Sequence, residues 1–242
     1  MPLTNVQFLD LTLPTPEENL ALDEALLITA EADGSAEYLR VWESPRYFVV
    51  LGKNCKAADD VWVEHCREER VPILRRVSGG GTVLQGPGCL NFSVVLRYER
   101  AAELKAVSGS FAYILNQIRA ALIPSGLDIE IAGSDLVRGG QKFSGNCQRR
   151  QLTRFLHQGT ILYRFDIAAV TRYLREPPRQ PPHRAGRDHT EFLTNLNFGP
   201  NQLRDRLKAA WEPVEPWDTR ALNLVAELVR TRYGQQSWNL RR

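Results

Sequence analysis

A run of three glycines between two apolar segments constrains this chain more than any other feature of its sequence. Residues 75–82 read Arg-Arg-Val-Ser-Gly-Gly-Gly-Thr, with apolar side chains at 71, 73 and 74 before them and an apolar run at 91–96 after them. The pattern predicts a strand, a glycine loop and a second strand. Glycine lets a ligand approach the backbone closely, and free N–H groups beside guanidinium charges suit a phosphate or a carboxylate. A tight surface turn is the alternative, but the later segment 142–145, Lys-Phe-Ser-Gly, favours a binding site.

Length and composition exclude several classes of protein. The 242 residues are 43% hydrophobic, which is enough for a substantial core in one large domain or two small ones. The net charge of +3, from 31 basic and 28 acidic residues, is too balanced for bulk nucleic-acid binding. We find no apolar run near the roughly 20 residues that span a bilayer, and no signal peptide. Four scattered cysteines, 55, 66, 89 and 147, form no zinc spacing and predict a reduced, cytoplasmic protein.

The order of the predicted elements indicates an α+β fold. Thr15 and Glu18 form a capping box at a helix start, and Gly139-Gly140 predicts a two-residue hairpin between strands 136–138 and 141–143. Further strands are predicted within 38–51 and at 159–163, and helices at 57–70, 108–122, 166–174, 201–211 and 218–233. The proline- and arginine-rich segment 177–187 is predicted to be a mobile loop. Hairpins mixed with helices, without regular β-α alternation, indicate α+β.

Several polar residues are candidates for chemistry. Lys142, just after the hairpin turn, is a positioned charge for a phosphate or a developing oxyanion, or else a solvated lysine. Asp135 would hold Mg²⁺ beside a nucleotide, or bond its own backbone in a turn. His157 starts a strand and is either a site residue or a packed histidine. The pairs 149–150 and 241–242, all arginine, are predicted to be solvated, and the first pair alternatively contacts an acidic partner.

Six sequence blocks together resemble the lipoate–protein ligases, within the wider biotin/lipoate ligase group. Residues 19–27 look like the first helix of that family, and 39–42 with 52–54 look like the strands beside its acyl-chain tunnel. Residues 75–83 are similar to its Arg-Arg-x-Ser/Thr-Gly-Gly-Gly-Ala/Thr-Val motif. Residues 134–136, 140–146 and 157–162 match the remaining blocks in the same order. The resemblance covers roughly residues 15–200, and the glycine and lysine blocks are more specific jointly than singly.

The resemblance implies an α+β fold with mixed, mostly antiparallel sheets flanked by helices, and it assigns roles to individual residues. Lys142 would contact the acyl carboxylate and the adenylate phosphate, Arg76 would hold the same region, and Asp135 would lie near the nucleotide and magnesium. The glycine loop would wall the acyl tunnel, and the strand that starts at 157 would line its far side. The implied substrate- or adenylate-binding residues are Trp42, Arg76, Ser78, Gly79, Gly80, Gly81, Ser144, Gly145, His157 and Gly159.

The implied activity is an ATP- and Mg²⁺-dependent ligation. Lipoate or octanoate would become an acyl-adenylate and then pass to a lysine of a lipoyl carrier domain, of the 2-oxoacid dehydrogenase E2 or glycine cleavage H protein type. A carboxylate is a poor acyl donor, so the protein's task is to position reactants and stabilise charge. No nucleic acid or membrane is expected as a partner.

Two alternatives stay open. An octanoyltransferase of the same fold would take its acyl group from acyl carrier protein through a cysteine thioester, which needs an activated thiol. Residues 131–134, where cysteine-dependent relatives carry the thiol, hold no cysteine, and only Cys147 could substitute. A non-catalytic protein that binds lipoyl groups or nucleotides is the other alternative. A biotin ligase is disfavoured, since no Gly-Arg-Gly-Arg loop is found.

The sequence also departs from the family pattern. Many members follow the triple glycine with an aromatic-His-Asp run, whereas residues 84–86 are Leu-Gln-Gly, which puts the contact of that histidine in doubt. We expect residues 1–242 to form a single catalytic domain without the small C-terminal domain of full-length bacterial ligases. Activation is then expected to need a separate accessory subunit, unless the chain performs only acyl transfer.

Overall fold

The computed structural model describes residues 6–34, 36–123, 126–213 and 217–241. The strands are β1 (Val6–Asp10), β2 (Glu37–Trp42), β3 (Phe48–Leu51), β4 (Ile73–Arg75), β5 (Val83–Gln85), β6 (Cys89–Arg97), β7 (Glu130–Ala132), β8 (Asp135–Arg138), β9 (Gln141–Arg150) and β10 (Arg154–Leu162). The α-helices are α1 (Pro16–Asp33), α2 (Ala57–Asp60), α3 (Val63–Glu68), α4 (Val107–Leu122), α5 (Ile167–Tyr173), α6 (His189–Phe192), α7 (Pro200–Trp211), α8 (Leu222–Leu228) and α9 (Gln236–Asn239).

Two sheets carry the strands. The larger has the order β1-β2-β6-β10-β9-β8-β7 and is antiparallel except for the β1–β2 pair, and the smaller has the order β4-β3-β5 with β3 and β4 parallel. The predicted α+β class with mixed, mostly antiparallel sheets is therefore confirmed. The two strands predicted within 38–51 exist, but they lie in different sheets, so the segment between them is a crossover. The short strand β5 was not predicted.

The two faces of the large sheet have different neighbours. On β6, Leu90, Phe92 and Val94 belong to a hydrophobic cluster with α4 and α7. The alternate residue Val95 belongs to a cluster with α1, which is itself buried along most of its length. Side chains alternate between the faces of a strand, so Asn91 also lies on the α1 face. We call these faces the core face and the α1 face, and the α1 face carries the candidate site.

Local signals in the sequence account for several element ends. The capping box at Thr15 is present, with the Thr15 hydroxyl accepting from Glu18 N. Gly139 and Gly140 have φ angles of +55° and +74°, the left-handed backbone that a tight hairpin turn requires. Asp166 caps α5. Gly34, with φ of +79°, ends α1.

Two predicted helices differ from the structure. The helix expected at 57–70 is two short helices, because Val61 forms a β-bridge with Leu174 and Trp62 N bonds to Tyr173 O at 2.9 Å. The helix expected at 218–233 starts as a 3₁₀ turn, continues as α8 and closes with a π turn at Val229–Tyr233 before Gly234. In the first segment tertiary bonds of the backbone replace regular helical ones, and in the second the local bonds change their spacing.

Candidate active site

A row of residues across five strands forms the floor of a cleft. Trp42 on β2 is paired with Asn91 on β6, and Asn91 is paired with Thr160 on β10. Thr160 Oγ1 lies 3.5 Å from Gly145 N on β9, and Gly145 is paired with Asp135 on β8. Neighbouring strands are about 4.8 Å apart, so the row extends about 19 Å from Trp42 to Asp135. The floor is therefore long enough for an extended acyl chain.

The cleft lies between this floor and the glycine loop. It offers about 250 Å³ of space and meets a second cavity of about 110 Å³, and Lys142 and Gly145 line both. Eight of the twelve predicted site residues line the larger cleft: Trp42, Arg76, Gly80, Gly81, Asp135, Lys142, Gly145 and Gly159. The second cavity is mainly apolar, with Phe165 and Leu174 in its wall.

A β-bulge directs Lys142 into the cleft. Leu136 is paired with Ser144, but Val137 is paired with Lys142, so Phe143 is an extra residue on β9. Without it Lys142 would share the face of Ser144, which is the core face, because a shift of one residue exchanges the two faces. With it, Lys142 lies on the face of Asp135, and its Nζ is 3.0 Å from Asp135 Oδ1. The Lys142 side chain is only 22% exposed, so the alternative of a solvated lysine does not hold.

Asp135 is the carboxylate at this end of the cleft. Its second oxygen accepts a hydrogen bond from His183 Nε2 at 3.0 Å, and its side chain is 6% exposed. Within the described ranges no group of three or more His, Cys, Asp or Glu could hold a metal ion. Mg²⁺ at nucleotide sites commonly takes one or two carboxylates and completes its shell with phosphate oxygens and water. Asp135 fits that role once a phosphate displaces Lys142 or His183 from its oxygens.

Arg76 holds the glycine loop in place. Its guanidinium donates to Gly79 O at 2.6 Å and to Gly81 O at 2.7 Å. Gly80 has φ of +80°, and its carbonyl oxygen would lie only 2.0 Å from a Cβ on Gly52. Both glycines are therefore needed for the close approach of the loop to residues 52–54. Arg76 was predicted to hold the substrate, whereas in the structure its N–H groups bond to the loop itself.

Three predicted residues support the site from behind and do not line it. Ser78 is fully buried and donates to Gln158 Oε1 at 2.6 Å. Ser144 lies on the core face and accepts from Asn146 Nδ2 at 3.1 Å. The Gly79 carbonyl is bonded to Arg76. Direct contact of these three residues with a ligand stays a prediction.

His157 lies on the wrong face for the role that the resemblance implied. It alternates with Gln158 on β10, is fully buried on the core face and stacks on Phe92. Its Nε2 lies 3.1 Å from Asn146 Oδ1. Burial lowers the pKa of His157 to about 3, so the ring is neutral. A Cβ on Gly159 would lie 2.1 Å from Phe92, so this glycine is required by the packing beneath the floor, while its backbone lines the cleft.

A buried polar network was not predicted from the sequence. Gln158, which lines the cleft, donates to Asp23 Oδ2 at 2.8 Å, and Asp23 Oδ1 pairs with Arg40 at 2.6 Å. Burial lowers the pKa of Arg40 and Asp23 opposes that shift. Together with the Ser78 bond to Gln158, the network connects α1 through the floor to the glycine loop. One sign of this network is visible in the sequence, since Asn19 and Asp23 are spaced to share a helix face. In the structure both residues contact Arg40.

Residues 177–187, the lid segment, cover the cleft. Arg179 and Arg184 line it, and His183 bonds to Asp135. Arg187 donates to Gly140 O at 2.8 Å, which fixes the segment to the β8–β9 hairpin. Arg184 is buried and paired with Glu176. The mobile loop predicted from the sequence thus makes several contacts with the rest of the fold, and Arg179 is the exposed arginine of its three.

The C-terminal residues anchor the start of the glycine loop. Arg75 is fully buried, its backbone N–H donates to Asn239 Oδ1 at 3.0 Å, and its Nε donates to Trp238 O and Asn239 O. Arg241 is exposed, as predicted, and also donates to Lys53 O at 3.0 Å, whereas Arg242 lies outside the described residues. Arg150 differs from that prediction, since it donates to two backbone carbonyls at 2.9 Å and covers the Tyr98 ring. Among the described helices, none has the length and apolar content to cross a bilayer.

Comparison with known proteins places the chain in a family. Residues 15–208 match the model of the lipoyl protein ligase A/B catalytic domain. The chain belongs to this family. A protein of Aeropyrum pernix, provisionally named lipoate-protein ligase A, is 29% identical over 222 residues, which cover 91% of this chain and 77% of that protein. The match spans less than half the length of five other curated relatives in this family, between 42% and 48%.

Solved structures of the family share the fold. A crystal structure of lipoate-protein ligase A bound with ATP superposes with a TM-score of 0.84 at 21% identity, covering 98% of each chain. A bipartite lipoate protein ligase from Thermoplasma acidophilum, studied with its E2 lipoyl domain, gives a TM-score of 0.83 at 21% identity, covering 98% of this chain and 96% of that one. The resemblance inferred from the sequence blocks is therefore confirmed for family and fold.

Proposed function

We propose that this protein is an ATP-dependent lipoate–protein ligase, which activates lipoate or octanoate and transfers the acyl group to a lysine of a lipoyl carrier domain. The observation that carries the proposal is the long cleft that ends at Lys142, which a bulge turns onto the cleft face beside Asp135. Family membership and the ATP bound to the superposed lipoate-protein ligase A support the choice of substrates.

The geometry suits an adenylyl transfer followed by an acyl transfer. The acid lies along the floor with its carboxylate toward Lys142, and a carboxylate oxygen attacks the α-phosphorus of ATP while pyrophosphate leaves. The carrier amine then attacks the acyl carbonyl, the bond to AMP breaks, and the amine loses its proton. The Lys142 ammonium stabilises negative charge on the phosphate and the carbonyl oxygen in both steps, so no side-chain nucleophile is needed.

Asp135 is the residue that would hold Mg²⁺ together with phosphate oxygens, and the ion would neutralise part of the phosphate charge. Lys142 would then turn from Asp135 to the acyl-phosphate oxygens. The glycine loop, held by Arg76, supplies a fixed wall that keeps the acyl chain and the phosphate in register. Positioning of this kind is the main contribution that a protein makes to phosphoryl transfer.

The proposed partner is a lipoyl domain of the E2 or H protein type. The superposed Thermoplasma acidophilum ligase is bipartite and belongs to a lipoylation system with an E2 lipoyl domain, which supports this class of partner and a separate accessory subunit. The four cysteines are free thiols, in agreement with a reducing compartment such as the cytoplasm.

The direct test is the mass of the carrier. The protein is incubated with ATP, Mg²⁺, lipoate and a purified lipoyl domain, with and without each component. We expect a mass increase of one lipoyl group that requires ATP. The proposal would be contradicted if no ATP–pyrophosphate exchange occurred and every lipoyl domain tested stayed unmodified even when preformed lipoyl-adenylate was supplied.

An octanoyltransferase is the second candidate, because Cys147 lines the cleft. Its Sγ lies 3.2 Å from Ser78 Oγ and 3.6 Å from Gln158 O. A thioester mechanism needs a base to form the thiolate, and His157 lies on the opposite face of the sheet. Replacing Cys147 by Ser should therefore leave ATP-dependent transfer largely intact. An acyl-thioester on Cys147 that forms from acyl carrier protein without ATP would favour the second candidate.

A further inference from the structure

The strand β9 turns polar side chains toward the core. Side chains alternate between the two faces of a strand, and we call the core-face residues of β9 the polar row: Ser144, Asn146, Gln148 and Arg150. The hydrophobic cluster on this face includes residues of α4 and α7. A strand that packs against such a cluster normally presents apolar side chains to it, because burying a polar group is unfavourable unless it is hydrogen-bonded. Four polar residues at successive core-face positions therefore indicate a role other than packing.

The pairing of β9 with β10 brings His157 into contact with the polar row. His157 lies directly opposite Gln148, and Gly159 lies opposite Asn146. Because Gly159 has no side chain, the His157 ring can extend diagonally to Asn146, whose amide oxygen would lie 2.3 Å from a Cβ at position 159. The ring therefore contacts two members of the row, with Nδ1 3.1 Å from Gln148 Nε2 and Nε2 3.1 Å from Asn146 Oδ1.

The direction of each of these hydrogen bonds is fixed from one end. The Ser134 carbonyl can only accept, so the group of Asn146 that lies 3.0 Å from it is the NH₂ group. The Asn146 oxygen then faces His157 Nε2, which must carry the hydrogen of the neutral ring. His157 Nδ1 is left as the acceptor for the Gln148 NH₂ group. Each side chain thus orients the next, and the series ends on the peptide bond that joins Ser134 to Asp135.

We propose that Asn146, oriented by His157, is a positioning residue that fixes the Asp135 carboxylate in the cleft. The proposal deepens the proposed function and rests on it. Asn146 holds the carbonyl of the peptide bond that precedes Asp135, so any rotation of that peptide bond, which would move the carboxylate away from Lys142 Nζ, breaks a hydrogen bond to a buried amide. Groups that orient a metal ligand in this way typically change metal affinity or activity about 10–100-fold when they are removed.

Two substitutions of His157 separate orientation from packing. Phenylalanine keeps a ring that can stack on Phe92 but carries neither donor nor acceptor, whereas glutamine carries both. We expect His157→Phe to weaken the binding of ATP with Mg²⁺ about tenfold, measured by calorimetry on the full chain, and to change the affinity for lipoate less than about twofold. His157→Gln should weaken the binding of ATP with Mg²⁺ less than about threefold. The control Ile118→Ala, at a fully buried position on α4, lowers stability but removes no hydrogen bond of a side chain.

The tautomer of His157 tests the proposal without any substitution in the protein measured. In ¹⁵N-labelled protein near neutral pH, the ring resonances, assigned by their loss in His157→Gln, should show a hydrogen on Nε2 and none on Nδ1. A hydrogen on Nδ1 would require the Asn146 NH₂ group to face the ring and its oxygen to face the Ser134 carbonyl. That result would overturn the proposal, because two acceptors in contact cannot hold the peptide bond before Asp135 in place.

Different results identify different failures. Unchanged binding of ATP with Mg²⁺ by a folded His157→Phe protein would overturn the positioning role and leave the proposed function intact. Equal losses in the phenylalanine and glutamine variants would also overturn it and would leave the ring a packing role. If His157→Phe does not fold, Asn146→Ala takes its place with the same expected loss. If the unaltered protein binds neither lipoate nor ATP with Mg²⁺, the proposed function fails together with the positioning role.

Discussion

At the scale of single residues, one extra amino acid in a strand decides where the central charge lies. The Gly-Gly turn was readable, because two small residues between short strands specify a tight hairpin. The bulge at Phe143 could not be predicted from the sequence, because the local pattern does not indicate which residue of β9 is left unpaired. The resemblance implied a site role for Lys142, and Lys142 lines the cleft, yet only the pairing of β8 and β9 explains the direction of its side chain.

Replacing Lys142 by Ala should abolish transfer while the fold is kept. Loss of one charge-stabilising group at a transition state typically costs about 10²–10³-fold in rate. The ion pair with Asp135 makes the stability cost larger than for an exposed lysine, about 1–2 kcal/mol. Carrier mass and a urea titration measure the two effects. Lys105→Ala, at an exposed lysine, is the control. Near-normal transfer by a folded Lys142→Ala protein would refute the role.

His157 predicts a pH dependence of stability. Its pKa is about 3 in the fold and about 6.5 in an unfolded chain. Between these values the unfolded state binds the extra proton, so the contribution is complete above about pH 6.5 and is lost as the pH falls toward 3, by up to about 1.4 kcal/mol per pH unit. Urea titrations from pH 7 to pH 4.5 should show a shallower loss for His157→Gln. Identical slopes for both proteins would contradict a neutral, buried ring.

At the scale of elements, the glycine loop works as a fixed wall. The residue types of the loop were informative, because three glycines permit backbone angles that other residues avoid. Which glycine needs that freedom was not readable. Gly80 has a positive φ and close neighbours, whereas Gly79 has neither. The two glycines also differ in position, because Gly80 lines the cleft and Gly79 does not.

Valine at position 80 should therefore damage the site far more than valine at position 79. A Cβ on Gly80 would lie 3.0 Å from Arg76 Nη2 and 3.3 Å from Cys147 Cβ, and a β-branched residue is strained at positive φ. We expect Gly80→Val to weaken binding of a non-hydrolysable acyl-adenylate at least about tenfold, and Gly79→Val less than about threefold. Calorimetry with that analogue is the measurement. Equal effects would reduce the loop to a turn.

The lid segment predicts an effect on the carrier step. Arg179 is exposed at the cleft, and surface charges act mainly on association rate over a screening length of about 8 Å at physiological ionic strength. Arg179→Gln should raise the KM for an acidic lipoyl domain about two- to fivefold at low salt and flatten its salt dependence. Arg230→Gln, an exposed arginine on the C-terminal helices, is the matched control. An unchanged KM at low salt would remove Arg179 from carrier recognition.

At the scale of the whole molecule, contacts between distant segments complete the site. The family, fold class and cleft strands followed from sequence blocks that are each local. The partners of Arg75 did not follow, because Trp238 and Asn239 lie outside every block and no periodicity links them to a residue 163 or 164 positions earlier. The same holds for a second long-range link of the C-terminal helices, which joins them to α1. In this link Tyr233 donates to Glu24 at 2.9 Å.

Asn239→Ala tests this long-range anchor. The change removes the acceptor of Arg75 N and the donor to Tyr233 O, which should cost about 1–3 kcal/mol of unfolding free energy for unsatisfied buried groups. We also expect weaker acyl-adenylate binding, because Arg75 precedes the loop residue Arg76. Asn223→Ala, at an exposed position on α8, is the control. Lower stability with unchanged adenylate affinity would limit the anchor to a structural role.

The contacts of Arg75 with the C-terminal residues can form only late in the synthesis of the chain. A ribosome adds roughly 5–20 residues each second, so Arg75 is made roughly 10–30 s before Asn239. During that time its guanidinium lacks the carbonyls of residues 238 and 239, although those of residues 52, 53 and 55 have already been made. The set of contacts at the start of the glycine loop is therefore completed last, after the strands that form the floor of the cleft have been available to pair.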